Sequence, residues 1–276
     1  MQGMKYRLAA LDMDGTLLNS EHQISDGTRD VIARAAEAGG VIALCTGRCL
    51  SELRSHLRAL PGVAYAICEN GGCLYDAKEA RILEQICLPD GEAARILRLA
   101  SRYDVCVQSF FDSQSHMQLS DAEELRRFHI YDFAGVFREG SIFVPDMAAV
   151  WPGRGMEKIN LYFASGAERL DFRRELGETQ LHLADSLGIG YEISPRRATK
   201  ALGLAALCRR LDVPLSQTLA VGDGGNDLEL MRSAGFSVAM GNATEAVRRA
   251  AHAVTADCDH EGAARAVARY MLGEEG

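Results

Sequence analysis

The chain of 276 residues lacks any apolar run long enough to cross a membrane. Its longest stretch without Asp, Glu, Lys or Arg, residues 233–244, has twelve residues, whereas a helix needs about 20 to span a bilayer. Near the start of the chain, the apolar run ends at Asp12 before the core of a signal peptide can form. We therefore expect a cytoplasmic protein that has no membrane partner.

Lysine is also scarce, and basic residues as a group are outnumbered. The 38 acidic residues exceed the 30 basic ones and give a net charge of −8, so the field of the molecule repels polyanions. We therefore expect no nucleic-acid partner. The chain has only four lysines, Lys5, Lys78, Lys158 and Lys200. Because lysine is so rare, a lysine that lies beside clustered carboxylates is a more informative sign of function than usual.

Several common motifs are missing. None of the eight cysteines forms a Cys-x-x-Cys pair and most lie in apolar runs, which is typical of buried thiols and argues against a zinc site or a disulfide framework. The chain contains neither Gly-x4-Gly-Lys-Ser/Thr nor Gly-x-Gly-x-x-Gly. Binding of nucleoside triphosphates or dinucleotides is therefore a weaker hypothesis.

What is present predicts an α/β protein with an insertion. Apolar residues make up 47% and charged residues 25% of the chain, the balance of a globular protein, and its length favours two domains. Strands and helices alternate in its first and last parts, with strands predicted at 6–11, 41–45, 64–68, 191–193, 218–221 and 236–239 and helices at 26–38, 51–60, 199–211 and 226–234. This alternation predicts a Rossmann-like parallel sheet with helices on both faces.

The middle of the chain has a different texture. Its strands, at 105–111, 141–144 and 159–163, are short and unevenly spaced, and helices are predicted at 91–103 and 167–176. We expect residues 1–84 and 191–276 to form the α/β core and residues 85–190 to form an inserted α+β cap domain.

Polar residues follow three predicted strands at the point where each strand ends, in Asp12–Thr16, Thr46–Arg48 and Gly222–Asp227. Ligands of open parallel sheets bind beyond the carboxyl ends of the strands, so we expect these segments to meet. Several carboxylates so close together cannot all stay ionised without a counter-ion. Mg²⁺ suits such oxygen ligands, and calcium is less favoured because the chain has no twelve-residue EF-hand loop.

These segments resemble the four motifs of the haloacid dehalogenase superfamily, in order: Asp12-Met-Asp14-Gly-Thr, Thr46, Lys200 and Gly222–Asp227. More narrowly, Glu69–Gly72, the Leu-Glu-Leu-Met after Asp227 and Ala239–Ala243 are similar to segments of the Cof-type sugar-phosphate phosphatases. The resemblance covers residues 1–84 and 191–276. Over the middle it rests on position and length, since this branch carries its cap domain between the second and third motifs. Two departures are Ala after Lys200, where Gly is usual, and Gly72, where Ala is more common.

The resemblance implies a Mg²⁺-dependent phosphomonoester hydrolase that acts on a small phosphorylated metabolite through an aspartyl-phosphate. Asp12 would be the nucleophile. Asp14 would serve as general acid and then as general base, which calls for a pKa nearer to neutrality than usual.

The remaining motif residues are expected to bind phosphate and metal. Thr46, Lys200 and Asn226 would contact the phosphoryl oxygens. Asp12, Asp14 through its backbone carbonyl, and Asp223 would hold Mg²⁺, and Asp227 would support that shell or orient Lys200.

Two other functions stay open. A phosphomutase or phosphotransferase would use the same aspartyl-phosphate with a hydroxyl acceptor in place of water. A phosphate-binding regulatory module without catalysis is the alternative from another class. The sequence leaves the substrate, the cap residues that select it and the oligomeric state undecided.

Overall fold

The computed structural model describes residues 4–186 and 188–274. The strands of this part of the chain are β1 (Leu8–Leu11), β2 (Val41–Cys45), β3 (Val63–Cys68), β4 (Cys73–Asp76), β5 (Arg81–Gln85), β6 (Val105–Phe111), β7 (Gln114–Gln118), β8 (Ser141–Val144), β9 (Met156–Phe163), β10 (Leu181–Ser186), β11 (Gly190–Pro195), β12 (Thr218–Gly222), β13 (Phe236–Ala239) and β14 (Ala253–Val254). The helices are α1 (Asp26–Glu37), α2 (Leu50–Ala59), α3 (Asp90–Ala100), α4 (Leu119–Glu123), α5 (Ala134–Gly140), α6 (Met147–Val150), α7 (Gly166–Leu176), α8 (Lys200–Leu211), α9 (Leu228–Ser233), α10 (Glu245–Ala250) and α11 (Gly262–Val267).

The larger sheet has eight strands in the order β14-β13-β12-β1-β2-β3-β4-β5. The strands from β14 to β3 run parallel, and β4 is antiparallel to β3. Strand β1 lies between β2 and β12, with Leu11 paired to Leu44 on one side and to Val221 on the other. The carboxyl ends of β1, β2 and β12 therefore lie side by side.

Apolar sequence explains why the central strands form here. Every residue of β1 and β12 is buried, as expected for parallel strands that are covered on both faces. Helices cover the sheet in two groups: α1 and α11 contact each other, and α9 contacts both α8 and α10. The predicted parallel core with helices on both faces is confirmed.

The smaller sheet has six strands in the order β10-β11-β9-β6-β7-β8. Its central strand, β9, is buried along its whole length and is antiparallel to β6 and β11. Helices α3 and α7 pack against β9 and against each other, and an apolar core that includes Ile159, Phe163 and Phe172 fills the space. This mixed sheet with helices is the second, α+β part of the predicted fold class.

The described residues divide into two compact units. One contains residues up to Arg48, Ser55–Glu84 and residues from Ala198 onward; the other contains Cys49–Arg54 and Gln85–Arg197. The second unit thus extends to Arg197, beyond the domain end predicted at residue 190.

For one predicted strand, the sheet to which it was assigned was wrong. The strand predicted at 191–193 was expected to belong to the parallel core, but β11 pairs antiparallel with β10 and β9 in the six-stranded sheet. A short apolar run shows that a strand forms and does not show which neighbour it joins.

The helices contain no candidate for a membrane span in residues 4–186 and 188–274: none is both long enough and apolar enough to cross a bilayer.

Candidate active site

Three loops meet where neighbouring strands of the larger sheet end. Asp12 follows β1, Thr46 follows β2 and Asp223 follows β12. The backbone N–H of Asp12 donates to the carbonyl oxygen of Val221 at 3.0 Å, which ties the first loop to the end of β12. The register of the parallel strands therefore brings the predicted segments to one edge of the sheet.

Lys200 lies between two carboxylates in the interior of this edge. Its Nζ donates to Asp12 Oδ1 at 2.6 Å and to Asp227 Oδ1 at 2.7 Å. All three side chains are buried. The two carboxylates also compensate the unfavourable position of a lysine at the N-terminus of α8, where the helix dipole repels positive charge.

The helix that carries Lys200 is positioned by a cap and by two glycines. Thr199 is the N-cap of α8, and its side chain accepts from the N–H of Leu202 at 3.2 Å. Gly71 has a φ of +99°, and a Cβ there would lie 2.1 Å from the carbonyl oxygen of Thr199. A Cβ on Gly203 would lie 2.5 Å from Ile67 Cγ2. Only glycine allows α8 to approach β3 this closely.

Asp227 is fully engaged by this part of the chain. Its Oδ1 accepts from Lys200, and its Oδ2 accepts from the backbone N–H groups of Asp223 and Gly224, each at 3.0 Å. It thereby fixes both the lysine and the loop after β12. Its two oxygens point to these partners rather than to a ligand.

Asp223 is held by two neighbouring loops. Thr16 Oγ1 donates to its Oδ1 at 3.2 Å, and Asn242 Nδ2 donates to its Oδ2 at 3.3 Å. Gly15 has a φ of +73°, and a Cβ there would lie 2.5 Å from Asp223 Oδ2. A glycine at this motif position therefore makes the room that the Asp223 carboxylate occupies.

Asp14 forms a bidentate ion pair with Arg48. Arg48 Nε lies 2.9 Å from Asp14 Oδ2, and Arg48 Nη2 lies 2.5 Å from Asp14 Oδ1. Burial raises the pKa of Asp14, but the guanidinium of Arg48 outweighs it and lowers the pKa below the usual range. The expected shift towards neutrality is thus absent while this ion pair is formed, because Arg48 stabilises the ionised carboxylate.

Thr46 and Asn226 both form hydrogen bonds with Asn70, which lies after β3. Thr46 is buried, and its Oγ1 accepts from the N–H of Arg48 at 3.2 Å. Its carbonyl oxygen accepts from the N–H of Asn70, whose side-chain oxygen in turn accepts from Asn226 Nδ2 at 3.0 Å. Asn70 thus links the loop after β2 to the loop after β12.

The charges at this edge do not balance. Asp12, Asp223 and Asp227 each offer a carboxylate oxygen within 4.8 Å of the others, and the ammonium of Lys200 is the cation that pairs with two of them. Burial raises the pKa of Asp12, with Lys200 opposing, and burial together with the charge of Asp227 raises the pKa of Asp223. The carboxylates outweigh the effect of burial on Lys200 and raise its pKa, so it keeps its proton.

These donors fit a hard divalent cation. Ligands that are all oxygen favour Mg²⁺, Ca²⁺ or Mn²⁺ over softer metals. The charge of Asp227 is compensated by the ammonium of Lys200, and its Oδ2 accepts from two backbone N–H groups. Each oxygen of Asp223 accepts a single bond from a neutral donor instead, so Asp12 and Asp223 are the carboxylates suited to face the ion. A divalent charge would also remove the excess negative charge between them.

The family assignment rests on a comparison with family models. The model described as haloacid dehalogenase-like hydrolase matches residues 9–267. The chain belongs to this family. The match includes every residue of the site described above, and it confirms the superfamily that the sequence motifs resemble.

Relatives of this haloacid dehalogenase-like hydrolase bear the names of phosphatases. Phosphatase YwpJ of Bacillus subtilis (strain 168) is 29% identical, over 94% of this chain and 97% of the relative. The HMP-PP phosphatase of Serratia proteamaculans (strain 568) is 30% identical, over 86% and 85%. A haloacid dehalogenase-like hydrolase from Bacteroides thetaiotaomicron, solved by crystallography, superimposes with a TM-score of 0.86 at 24% identity over 96% and 99% of the two chains, which shows a shared fold.

Sequence reasoning did not assign roles to three residues of the hydrolase site. Arg48, Asn70 and Asn242 were part of segments that we noted, but their partners lie in other loops. The segments themselves were a usable signal, since each follows a strand of the same sheet. Which atoms they contact depends on the folded loops.

Proposed function

We propose that the chain is a Mg²⁺-dependent phosphomonoester hydrolase that forms an aspartyl-phosphate on Asp12. The contact that carries the proposal is the buried bond of Lys200 Nζ to Asp12 Oδ1, 2.6 Å long. It holds one carboxylate and one cation at the edge where a phosphoryl group would bind. The phosphatase names of the relatives support a small phosphorylated metabolite as substrate.

In the first step, a carboxylate oxygen of Asp12 attacks phosphorus while the bond from phosphorus to the leaving oxygen breaks. Asp14 donates a proton to that oxygen. Thr46, Lys200 and Asn226 bind the other phosphoryl oxygens and hold the group in line for transfer. Since Arg48 favours the ionised form of Asp14, this ion pair must open before Asp14 acts as an acid.

In the second step, water attacks phosphorus and gives its proton to Asp14, whose ionised form suits this role. The bond between phosphorus and Asp12 breaks, which releases inorganic phosphate and restores the carboxylate. Asp12, the backbone carbonyl of Asp14 and Asp223 would hold Mg²⁺, with Asp227 orienting Lys200 and the loop. When bound, the ion supplies positive charge that neutralises the phosphoryl oxygens.

We also assign a role to the inserted α+β domain, placed by the sequence at residues 85–190. As a cap, it would select the substrate and exclude bulk water from the phosphorylated aspartate.

The test is release of inorganic phosphate from a panel of phosphomonoesters by the purified protein with Mg²⁺. We expect release from at least one sugar phosphate or similar metabolite, and none by Asp12→Asn, whose circular dichroism spectrum should match that of the unchanged protein. Turnover retained in Asp12→Asn would overturn the role of Asp12. Absence of release from every monoester would overturn the hydrolase.

The phosphotransferase alternative is separated in the same assay. A hydrolase releases phosphate at a rate that does not depend on added acceptor sugars. A rate that falls as acceptor is added, with formation of a new phosphate ester, would favour transfer.

A further inference from the structure

Asn242 lies in the loop after β13 and contacts three other loops. Its Nδ2 donates to the carbonyl oxygen of Gly15 at 2.8 Å and to Asp223 Oδ2 at 3.3 Å. Its Oδ1 accepts from the backbone N–H of Cys258 at 3.0 Å. One amide therefore joins the loops after β1, β12 and β14, although its side chain is exposed.

The main chain beside Asn242 is anchored independently. The N–H of Thr244 donates to the carbonyl oxygen of Asp223 at 3.1 Å, and the N–H of Met240 donates to that of Gly222 at 3.0 Å. Removal of the Asn242 side chain would leave these bonds intact. Its effect would fall on the Asp223 carboxylate, on the Gly15 carbonyl and on the N–H of Cys258.

The chemistry of the amide suits a carboxylate that must still bind a cation. A carboxylate oxygen has more than one lone pair, so a single long bond from Asn242 fixes its direction without using all its capacity. An amide donor is neutral and does not cancel the charge of Asp223, as an arginine or lysine would. The bond from Cys258 fixes the amide in turn.

We propose that Asn242 is a positioning residue for the metal-binding carboxylate of Asp223. The inference rests on the proposed function, since it assigns Asp223 to Mg²⁺. Asn242 makes no bond to the ion. It holds the Asp223 side chain in the orientation that binding requires, so that less ordering is left to occur when the ion arrives.

The test compares Asn242→Ala with the unchanged protein in two assays. Calorimetric titration with Mg²⁺ in the absence of substrate should show affinity weakened by about tenfold or more, the usual effect of losing a group that orients a metal ligand. In the phosphate-release assay, the Mg²⁺ concentration for half-maximal rate should rise by a similar factor, and saturating Mg²⁺ should restore most of the rate.

Glu245→Gln is the matched control, because Glu245 is exposed in the same region and pairs with Arg249 on α10 rather than with the site. It should leave both Mg²⁺ measurements unchanged. Unchanged Mg²⁺ affinity in Asn242→Ala would overturn the inference and leave the hydrolase standing. A rate that stays low at saturating Mg²⁺ would also overturn it, since Asn242 would then act through the Gly15 loop. If the unchanged protein hydrolyses no monoester, the calorimetric arm still tests Asn242.

Discussion

Lys200 forms buried ion pairs with two carboxylates of the candidate site. A buried ammonium is costly unless it is paired, and Asp12 and Asp227 accept from it at 2.6 and 2.7 Å. The same arrangement makes each carboxylate dependent on the lysine. Its removal would leave two buried negative charges facing each other.

Lys200→Met should therefore reduce both stability and turnover. We expect the free energy of unfolding to fall by about 3–5 kcal/mol, because one member of a buried ion pair is lost. The rate constant for hydrolysis should fall by about 10²–10³ or more, because a cation that stabilises phosphoryl charge is gone. Denaturant unfolding and phosphate release measure the two effects. Lys78→Met removes the same charge at an exposed position and should change neither; equal behaviour of the two variants would contradict the role of Lys200.

The absence of a side chain at Gly15 makes room for Asp223, because a methyl group at this position would collide with the Asp223 carboxylate. Gly15→Ala should cost about 1–3 kcal/mol through its φ of +73° and, in addition, weaken Mg²⁺ binding by displacing Asp223 Oδ2. Gly39→Ala separates the two effects, since Gly39 has a φ of +90° and a Cβ there meets nothing within 4 Å. It should lose stability and keep its Mg²⁺ affinity. Unaltered Mg²⁺ binding in Gly15→Ala would show that Asp223 tolerates the displacement.

At the scale of elements, strands in which apolar residues predominate were the most predictable. Strands β2, β6, β8 and β13 have the bounds that the sequence predicts. Strand β7 was not predicted because Gln114, Ser115 and Gln118 interrupt any apolar pattern. It forms because Asp112 and Ser113, both with positive φ, make a tight turn between β6 and β7. This turn contains no glycine, the residue from which such a turn is usually predicted.

The site shows the same division between local and long-range information. The loops that follow β1, β2 and β12 were predictable, since parallel strands end at one edge of the sheet. The bidentate contact of Arg48 with Asp14 was not, because it depends on two side chains from different loops. For this reason the expectation that the pKa of Asp14 lies nearer to neutrality was wrong. Arg48, the residue that lowers this pKa, is 34 positions away in the sequence.

His116 on β7 gives a prediction about pH. Its ring stacks on Phe111 with 3.8 Å between centroids, and burial lowers its pKa. As the pH falls below the usual histidine pKa of about 6.5, His116 takes up a proton in the unfolded chain before it does so in the folded protein. The contribution of the neutral His116 to the free energy of unfolding is therefore fully present above this pH and is lost below it. Thermal unfolding at about pH 7.5 and about pH 5.5 should show a smaller loss of Tm in His116→Gln than in the unchanged protein. Equal losses would show that His116 does not titrate differently in the folded state.

At the scale of the whole molecule, activity should depend on a divalent cation, because the carboxylates of Asp12, Asp223 and Asp227 outnumber the ammonium of Lys200 that pairs with two of them. Addition of a chelator should abolish phosphate release, and Mg²⁺ should restore it. Calcium should not restore it, because Ca²⁺ takes six to eight ligands in a looser geometry than Mg²⁺. Mg²⁺ should also raise Tm, since an ion that binds the folded state stabilises it. Full activity in chelator would contradict the metal role.

The central place of β1 has a consequence for how the protein is made. Strand β1 needs β12 as a neighbour, and the pairing of Leu8 with Thr218 joins residues more than 200 positions apart. During translation, β1 cannot pair with β12 until residues 218–222 have been synthesised. The strands of the six-stranded sheet, by contrast, all lie within Gln85–Arg197 and can pair earlier. Asp12 meets Asp223 and Asp227 only after translation has passed the last of these residues. Incomplete chains therefore cannot assemble the acidic cluster, and the reactive edge is among the last parts of the molecule to mature.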